Sequence, residues 1–224
     1  MSDSGRTRML ADIERETALT VSYTGVGRID PEVLAVMAEI PREEFVLPEL
    51  RAYAYDNRPL PIDHEQTISQ PYIVALMTHL LRPRPGHRLL EIGTGSGYQS
   101  AILSRLADKV YSIDRIPELA AEARRTFDRL GYTNIENIAG NGYQGWPEHA
   151  PYDGIVVTAA ASHIPPALIE QLAPGGRLVI PVGPPFGHQE LMMIEKDAAG
   201  ELDTSDILPV AFVPMQDDAP PGDA

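Results

Sequence analysis

Three glycines at alternate positions close the run Leu89-Leu90-Glu91-Ile92-Gly93-Thr94-Gly95-Ser96-Gly97. An apolar stretch that ends in an acid and then in glycines reads as a buried strand turning sharply into a helix near Tyr98. A second run, Val110-Tyr111-Ser112-Ile113-Asp114, also ends in an acid. A glycine loop after one strand and a carboxylate at the tip of the next hold a nucleoside, with the loop under the ribose and the acid on its hydroxyls. The spacing is not that of a dinucleotide fingerprint, which needs a small residue where Tyr98 stands, and no Lys follows the glycines as in a phosphate-binding loop. S-adenosylmethionine, which has no phosphate to cradle, fits the spacing better. Glu91, Gly93, Thr94, Gly95, Ser96, Gly97 and Asp114 are therefore the expected cofactor residues. A glycine turn with no ligand is the competing reading, and Asp114 at the expected distance weighs against it.

These residues need a scaffold, and regular alternation supplies one. Strand 88–93 precedes helix 98–107, and strand 109–114 precedes helix 117–130, closed by Gly131. A strand over 134–139 leads into a loop over 140–147. Strand 153–158 leads to a helix over 165–173 that Pro174-Gly175-Gly176 ends, and strand 177–182 follows. The last two apolar runs, 190–196 and 207–213, are joined by a turn-like Asp197-Ala198-Ala199-Gly200 and read as a hairpin. The expected fold is α/β: a doubly wound, mostly parallel, seven-stranded sheet with an antiparallel strand near one edge.

Residues 1–70 lack this alternation and are expected to form a helical and lid-like N-terminal segment. Asp30-Pro31-Glu32 starts a helix, with an N-cap, a Pro at N1 and an acid in the first turn. Val33, Val36, Met37 and Ile40 give it an apolar face, and Pro41 ends it. Residues 47–71 read as an ordered lid or loop, and Pro71–Leu81 as a buried helix. The sheet domain is expected over 71–214, with a disordered, acidic, Pro-rich tail over 215–224.

Composition narrows the function. The 224 residues are 43% hydrophobic, enough for one α/β core and an accessory segment. A net charge of -14 with scattered arginines disfavours nucleic acid and anionic membranes as partners. Without cysteine there is no disulfide, thiolate metal site or thiol nucleophile, and no metal site is expected. The polar start and the lack of any ~20-residue apolar run suggest a cytoplasmic protein. A monomer is expected.

Several separate stretches resemble the bacterial protein-L-isoaspartate O-methyltransferases. They include Pro41-Arg42-Glu43-Glu44-Phe45-Val46, Ala54-Tyr55-Asp56 with Leu60-Pro61-Ile62, and Gln66-Thr67-Ile68-Ser69-Gln70-Pro71. The glycine loop through Gln99, Val110 to Leu119, Tyr152 to Ala160 and Leu172 to Gly183 continue the likeness in order. The glycine loop is common to many methyltransferases; the Gln-Thr-Ile-Ser-Gln-Pro segment is specific and points to the substrate. The resemblance implies methyl transfer from S-adenosylmethionine to the free α-carboxylate of L-isoaspartyl residues in damaged proteins. The ester then closes to a succinimide that reopens partly to aspartate. By position, Ser69 is the catalytic residue, with Thr67, Ile68, Gln70 and His64 around the substrate, and Asn141 and Gly142 join the cofactor set.

The chemistry agrees. A carboxylate is already nucleophilic at pH 7, so no strong base is required. Joining a sulfonium and a carboxylate destroys both charges, so a dry site that aligns oxygen, methyl carbon and sulfur helps. Spacing alone leaves Ser69 two readings, an N-cap two residues before Pro71 or a hydrogen-bonding group for the carboxylate; the resemblance selects the second.

Three places depart from the family pattern. Gly140-Asn141-Gly142 replaces Gly-Asp-Gly, so an uncharged amide oxygen would accept from the adenine amino group. Asp63-His64-Glu65 replaces Gly-His-Gly, placing two acids near a site meant for a carboxylate. Pro184-Pro185-Phe186-Gly187 replaces a Gly-rich loop. The two acids and that loop motivate an alternative, a diverged methyltransferase for another peptide or small-molecule carboxylate. A silent binding protein is opposed by the intact Ser69 and glycine loop. An NAD oxidoreductase is opposed by Tyr98, and an RNA methylase by the charge.

Overall fold

The computed structural model describes residues 2–185 and 187–217. The N-terminal segment is helix α1 (Ser2–Thr24), helix α2 (Pro31–Glu39), 3-10 turns at Arg42–Phe45 and Pro48–Tyr53, and a ribbon of strands β1 (Leu60–Pro61) and β2 (Thr67–Ile68). Helix α3 (Pro71–Leu81) leads into β3 (Arg88–Ile92), α4 (Tyr98–Leu106), β4 (Lys109–Asp114), α5 (Pro117–Leu130) and β5 (Ile135–Ala139). After two short 3-10 turns come β6 (Tyr152–Val157), α6 (Pro166–Gln171), β7 (Leu172–Val182), β8 (Gln189–Lys196) and β9 (Leu202–Val210).

The main sheet has seven strands in the order β5-β4-β3-β6-β7-β8-β9. Strands β3 to β7 pair in parallel, and β8 runs antiparallel to both β7 and β9. This is the expected mostly parallel sheet with one reversed strand near an edge. Strand order reverses between β3 and β6, the point where a doubly wound sheet opens a crevice beyond its strand tips.

Local signals explain the elements. The Asp30 carboxylate accepts from the Glu32 N–H at 2.9 Å and Pro31 opens α2, as the capping pattern predicts. The α5 stripe Leu119, Ala120, Ala123 and Phe127 is buried, and Gly131 closes the helix. Helix α3 is buried along nearly its whole length. Met9 and Ile13 of α1 share one continuous core with α3, α4 and the sheet, so residues 2–70 are not a separate unit.

Four details correct the expectations. Helix α1 has a narrow buried stripe of Met9, Ile13 and Thr17, while Leu19 and Tyr23 are exposed, so its periodicity is weak. Pro174-Gly175-Gly176 does not end α6 but bulges within β7: the register passes from Tyr152↔Leu172 to Gly154↔Arg177. Strand β9 begins at Leu202 rather than 207, because the polar run Asp203-Thr204-Ser205-Asp206 forms an edge held by ladder bonds. Residues 211–213 leave the sheet, and the buried Gln189 side chain continues the pairing, accepting from Phe212 N–H at 2.6 Å and donating to its carbonyl at 3.1 Å. The tail is ordered through Asp217: Ala160 N–H donates to Val213 O and Met215 N–H to Ala160 O, both at 2.8 Å. Residues 218–224, the rest of the expected tail, and Phe186 lie outside the described residues. Among the described residues no helix is long and apolar enough to cross a membrane.

Candidate active site

The glycine loop and Asp114 meet as the sequence suggests. Gly95 N–H donates to Asp114 Oδ2 at 2.7 Å, and Ile116 N–H to Oδ1 at 2.9 Å. Gly95 stands at φ 50°, where a side chain is strained, although a Cβ there would make only an ordinary contact with Ile62 at 3.6 Å. At Gly97 the limit is contact: a Cβ there would lie 2.5 Å from the Phe127 ring. Burial pushes the Asp114 carboxyl up, and the two N–H donors pull against that shift.

Glu91 sits behind the loop, fully buried. Its Oε2 accepts from the Ser100 hydroxyl and from Ser112 Oγ at 2.7 Å. With its proton committed to Glu91, Ser112 Oγ accepts from Thr94 Oγ1 at 2.6 Å, which ties the loop to the strand floor. Desolvation raises the Glu91 carboxyl to about 8, against the pull of the two hydroxyls.

Three clefts converge here. One, of about 610 Å³, lies over the strand tips and is lined by Gly93, Gly95, Asp114, Gly142, Thr158 and Met215, among others. A second joins Glu91, Thr94 and Ser96 to Thr67, Ile68 and Ser69. The third, of about 980 Å³, is lined by Thr67, Ser69, Gln70, α1 and the Leu208–Phe212 segment. Thr67 borders all three.

The N-cap reading of Ser69 fails. Gln70 holds the N-cap position of α3 with no side-chain bond, and Asn57 Oδ1 takes the Tyr72 N–H at 2.9 Å. Among the described residues the half-buried Ser69 hydroxyl has no hydrogen-bond partner, while its carbonyl accepts from Arg42 Nη2 at 2.8 Å.

Several expected residues stand elsewhere. His64 is at the exposed tip of the β1–β2 turn and lines none of the three clefts. Asp63 and Glu65 are exposed beside it; neither lines the three clefts, although Asp63 borders a fourth one shared with Gly95 and Ser96. Asn141 Oδ1 is committed to Tyr143 N–H at 2.9 Å and Nδ2 to Asp217 at 3.0 Å, so its amide caps a 3-10 turn and lines none of the three clefts. Tyr98 points away from the loop, edge-on to Phe45 with Arg42 stacked 4.5 Å from its ring centroid.

The sequence pattern of the family described as "Protein-L-isoaspartate(D-aspartate) O-methyltransferase" matches residues 15–219. The chain belongs to this family. It is 55% identical over 212 residues to "Protein-L-isoaspartate O-methyltransferase 2" of Syntrophobacter fumaroxidans, covering 95% of this chain and 86% of that protein. It is 56% identical over 207 residues to the protein of the same name from Polaromonas sp., covering 92% and 98%. A solved protein-L-isoaspartate O-methyltransferase superposes with a TM-score of 0.80 at 29% identity, over 95% of this chain and 66% of that one. A Plasmodium falciparum structure, described as a candidate member in complex with S-adenosyl-L-homocysteine, gives 0.75 at 25% identity, over 93% and 97%.

The residues present fit the cofactor of a methyltransferase of this family. Each Asp114 oxygen accepts one N–H and keeps a lone pair for a ribose hydroxyl. Glu91 Oε1 and Gln99 Oε1 are buried polar atoms without a hydrogen-bond partner among the described residues, both from residues of the second cleft; an ammonium group placed there would pull the raised Glu91 carboxyl back to its ionised, accepting form. Sequence reasoning missed Thr158, whose hydroxyl donates to Gly93 O at 2.6 Å; its place at the tip of β6 was the available signal. Met215 was missed because it lies in the expected tail. Arg42, Asn57 and Glu16 carried no local signal.

Proposed function

We propose that this chain transfers the methyl group of S-adenosylmethionine to the α-carboxylate of L-isoaspartyl residues in damaged proteins, with Ser69 as the group that orients the carboxylate. When bound, the cofactor supplies an electrophilic methyl on a sulfonium. Asp114, with Gly95 and Gly142 beside it, would hold the nucleoside, and Glu91 and Gln99 the ammonium. Ser69 would donate to one carboxylate oxygen and leave the other free to attack. An O–CH3 bond forms as an S–CH3 bond breaks, leaving a methyl ester and a neutral thioether. No proton moves, so the site needs no base.

The observation that carries this reading is the unpartnered Ser69 hydroxyl where the acceptor cleft meets the glycine loop. Asp63 and Glu65 are solvent-exposed and absent from the cleft that holds Ser69, and the family match over residues 15–219 favours the isoaspartyl substrate over a different carboxylate. A cytoplasmic monomer acting on protein rather than nucleic acid or membrane completes the reading, supported by the -14 charge and the absence of cysteine. The test is radiolabelled methyl transfer to an L-isoaspartyl peptide beside its aspartyl twin. Base-labile label on the first alone is expected, and Ser69→Ala should lower kcat/KM at least tenfold while S-adenosyl-L-homocysteine affinity holds. Equal labelling of both peptides, or an unimpaired variant, would overturn it.

A further inference from the structure

The acceptor cleft carries one formal charge, and it is negative. Its lining includes Ser69, Gln70, Tyr72 and Phe212, and its charged member is Glu16 of α1. Glu16 Oε2 accepts from Asn57 Nδ2 at 2.6 Å and from Gln70 Nε2 at 2.9 Å. Gln70 Nε2 also donates to the Asn57 carbonyl at 3.1 Å, and Asn57 Oδ1 takes the first N–H of α3 noted above. The carboxylate is therefore fixed by α1, by the loop before β1 and by the acceptor segment together. Two neutral amides orient it and leave its charge intact, and no Lys or Arg among the described residues pairs with it. Both amides use Oε2, so Oε1 keeps its full accepting capacity in a residue that lines the cleft.

The substrate brings a carboxylate to the adjoining Ser69. Gln70 follows Ser69 directly, so Glu16 stands one hydrogen bond beyond the residue next to the reacting group. A peptide advances at most about 3.6 Å per residue, which lets a neighbouring long side chain reach that point. We propose that Glu16 is a cation subsite, and that the enzyme selects isoaspartyl sequences with a Lys or Arg one or two residues from the isoaspartate. This rests on the isoaspartyl reading above. A basic neighbour pairs with Glu16 and offsets the approach of an anionic group to an acidic protein; an acidic neighbour meets like charge.

The test uses the full chain and isoaspartyl hexapeptides that differ at one flanking position, holding Lys, Ala or Glu before or after the isoaspartate. At low salt, KM should rise in the order Lys, Ala, Glu at one of these positions, by about tenfold from end to end, the scale of a half-exposed pair against its like-charge counterpart. In Glu16→Gln, whose amide oxygen can still accept from Asn57 and Gln70, the three KM values should converge. Salt gives an independent check on the unmutated protein: KM for the Lys peptide should rise between 20 and 300 mM. An order that persists in Glu16→Gln, or no order and no salt effect in the unmutated enzyme, overturns the subsite. Failure to methylate any isoaspartyl peptide overturns instead the activity on which it rests.

Discussion

Glu91 gives the fold a pH dependence that a single substitution should remove. Its carboxyl is fully buried, and desolvation lifts it from an ordinary 4.5 to about 8, with nearby Asp114 adding to the rise. The folded protein therefore keeps a proton that the unfolded chain releases above pH 4.5. Stability changes with pH as 2.303RT times protons bound unfolded minus protons bound folded, and that difference is negative throughout this window. The contribution is whole below pH 4.5, declines as pH rises, and levels off above pH 8. One pH unit is worth about 1.4 kcal/mol, so the full window carries about 5 kcal/mol and the span from pH 5.5 to 7.5 roughly 2.5 kcal/mol. Glu91→Gln keeps the shape and an oxygen for both serine hydroxyls but cannot titrate. The stability gap, wild type minus variant, should thus shrink by roughly 2.5 kcal/mol from pH 5.5 to 7.5. Urea unfolding at three pH values reads it as a relative midpoint change of about 1 M. Parallel curves, or a gap that moves the other way, would refute the assignment of a neutral buried acid behind the loop.

Two further perturbations probe neighbouring parts of the site. Asp114→Asn leaves one oxygen for two N–H donors and removes the charge from the ribose position; calorimetric affinity for S-adenosyl-L-homocysteine should fall by about 10–100-fold, the worth of a charge-assisted hydrogen bond, and a change under twofold would discard the assignment. Glu65 stands at φ 57° on an exposed turn, so Glu65→Gly should relieve about 1–2 kcal/mol of left-handed strain and give back part of it in chain entropy. A melting midpoint raised by about 1–3 °C is expected, and a lowered one would show that the side chain holds the turn.

The parts of this fold legible in sequence are those whose signal is local. Alternating apolar runs named the parallel strands, the Asp30 cap and Gly131 bounded two helices, and the glycine loop was expected beside Asp114, where the two meet and line one cleft. Each depends on residues adjacent in the chain or one strand apart. The misses have the opposite character. Edge strand β9 is polar because one side faces water, so its alternation is hidden. Pro174-Gly175-Gly176 reads as a helix stop, yet a parallel strand can absorb those residues as a bulge. The tail looked like solvent-exposed chain because the pairing of Val213 and Met215 with Ala160 spans more than fifty residues. Asn141 was assigned from its position in a motif, which does not show that its amide also caps a local turn and meets Asp217.

The same distinction explains why Arg42, within a stretch that resembled the family, had no role until the structure supplied one. Nothing in Pro41-Arg42-Glu43 marks the arginine as buried, and beside two acids it reads as a surface residue. It is in fact wholly inaccessible. Its Nε donates to Ala54 O at 2.8 Å, its Nη2 donates to Ser69 O, and its plane covers the Tyr98 ring. Among the described residues no carboxylate pairs with it. Burial lowers its pKa, yet a guanidinium keeps its proton under conditions where a buried lysine would lose it, and its flat fork meets two carbonyls that an ammonium would reach only singly. One side chain thereby fastens three things: the loop before β1, the acceptor segment, and the helix that follows the glycine loop. It also places a positive charge one hydrogen bond from the Ser69 main chain. In a protein of net charge -14 that must admit a carboxylate, a positive potential at the acceptor segment lowers the cost of bringing the anion in. On the reading proposed for Ser69 no base is needed, so holding that residue beside the glycine loop is the main structural demand, and Arg42, bonded to its carbonyl, meets it from a segment that sequence alone leaves without a function.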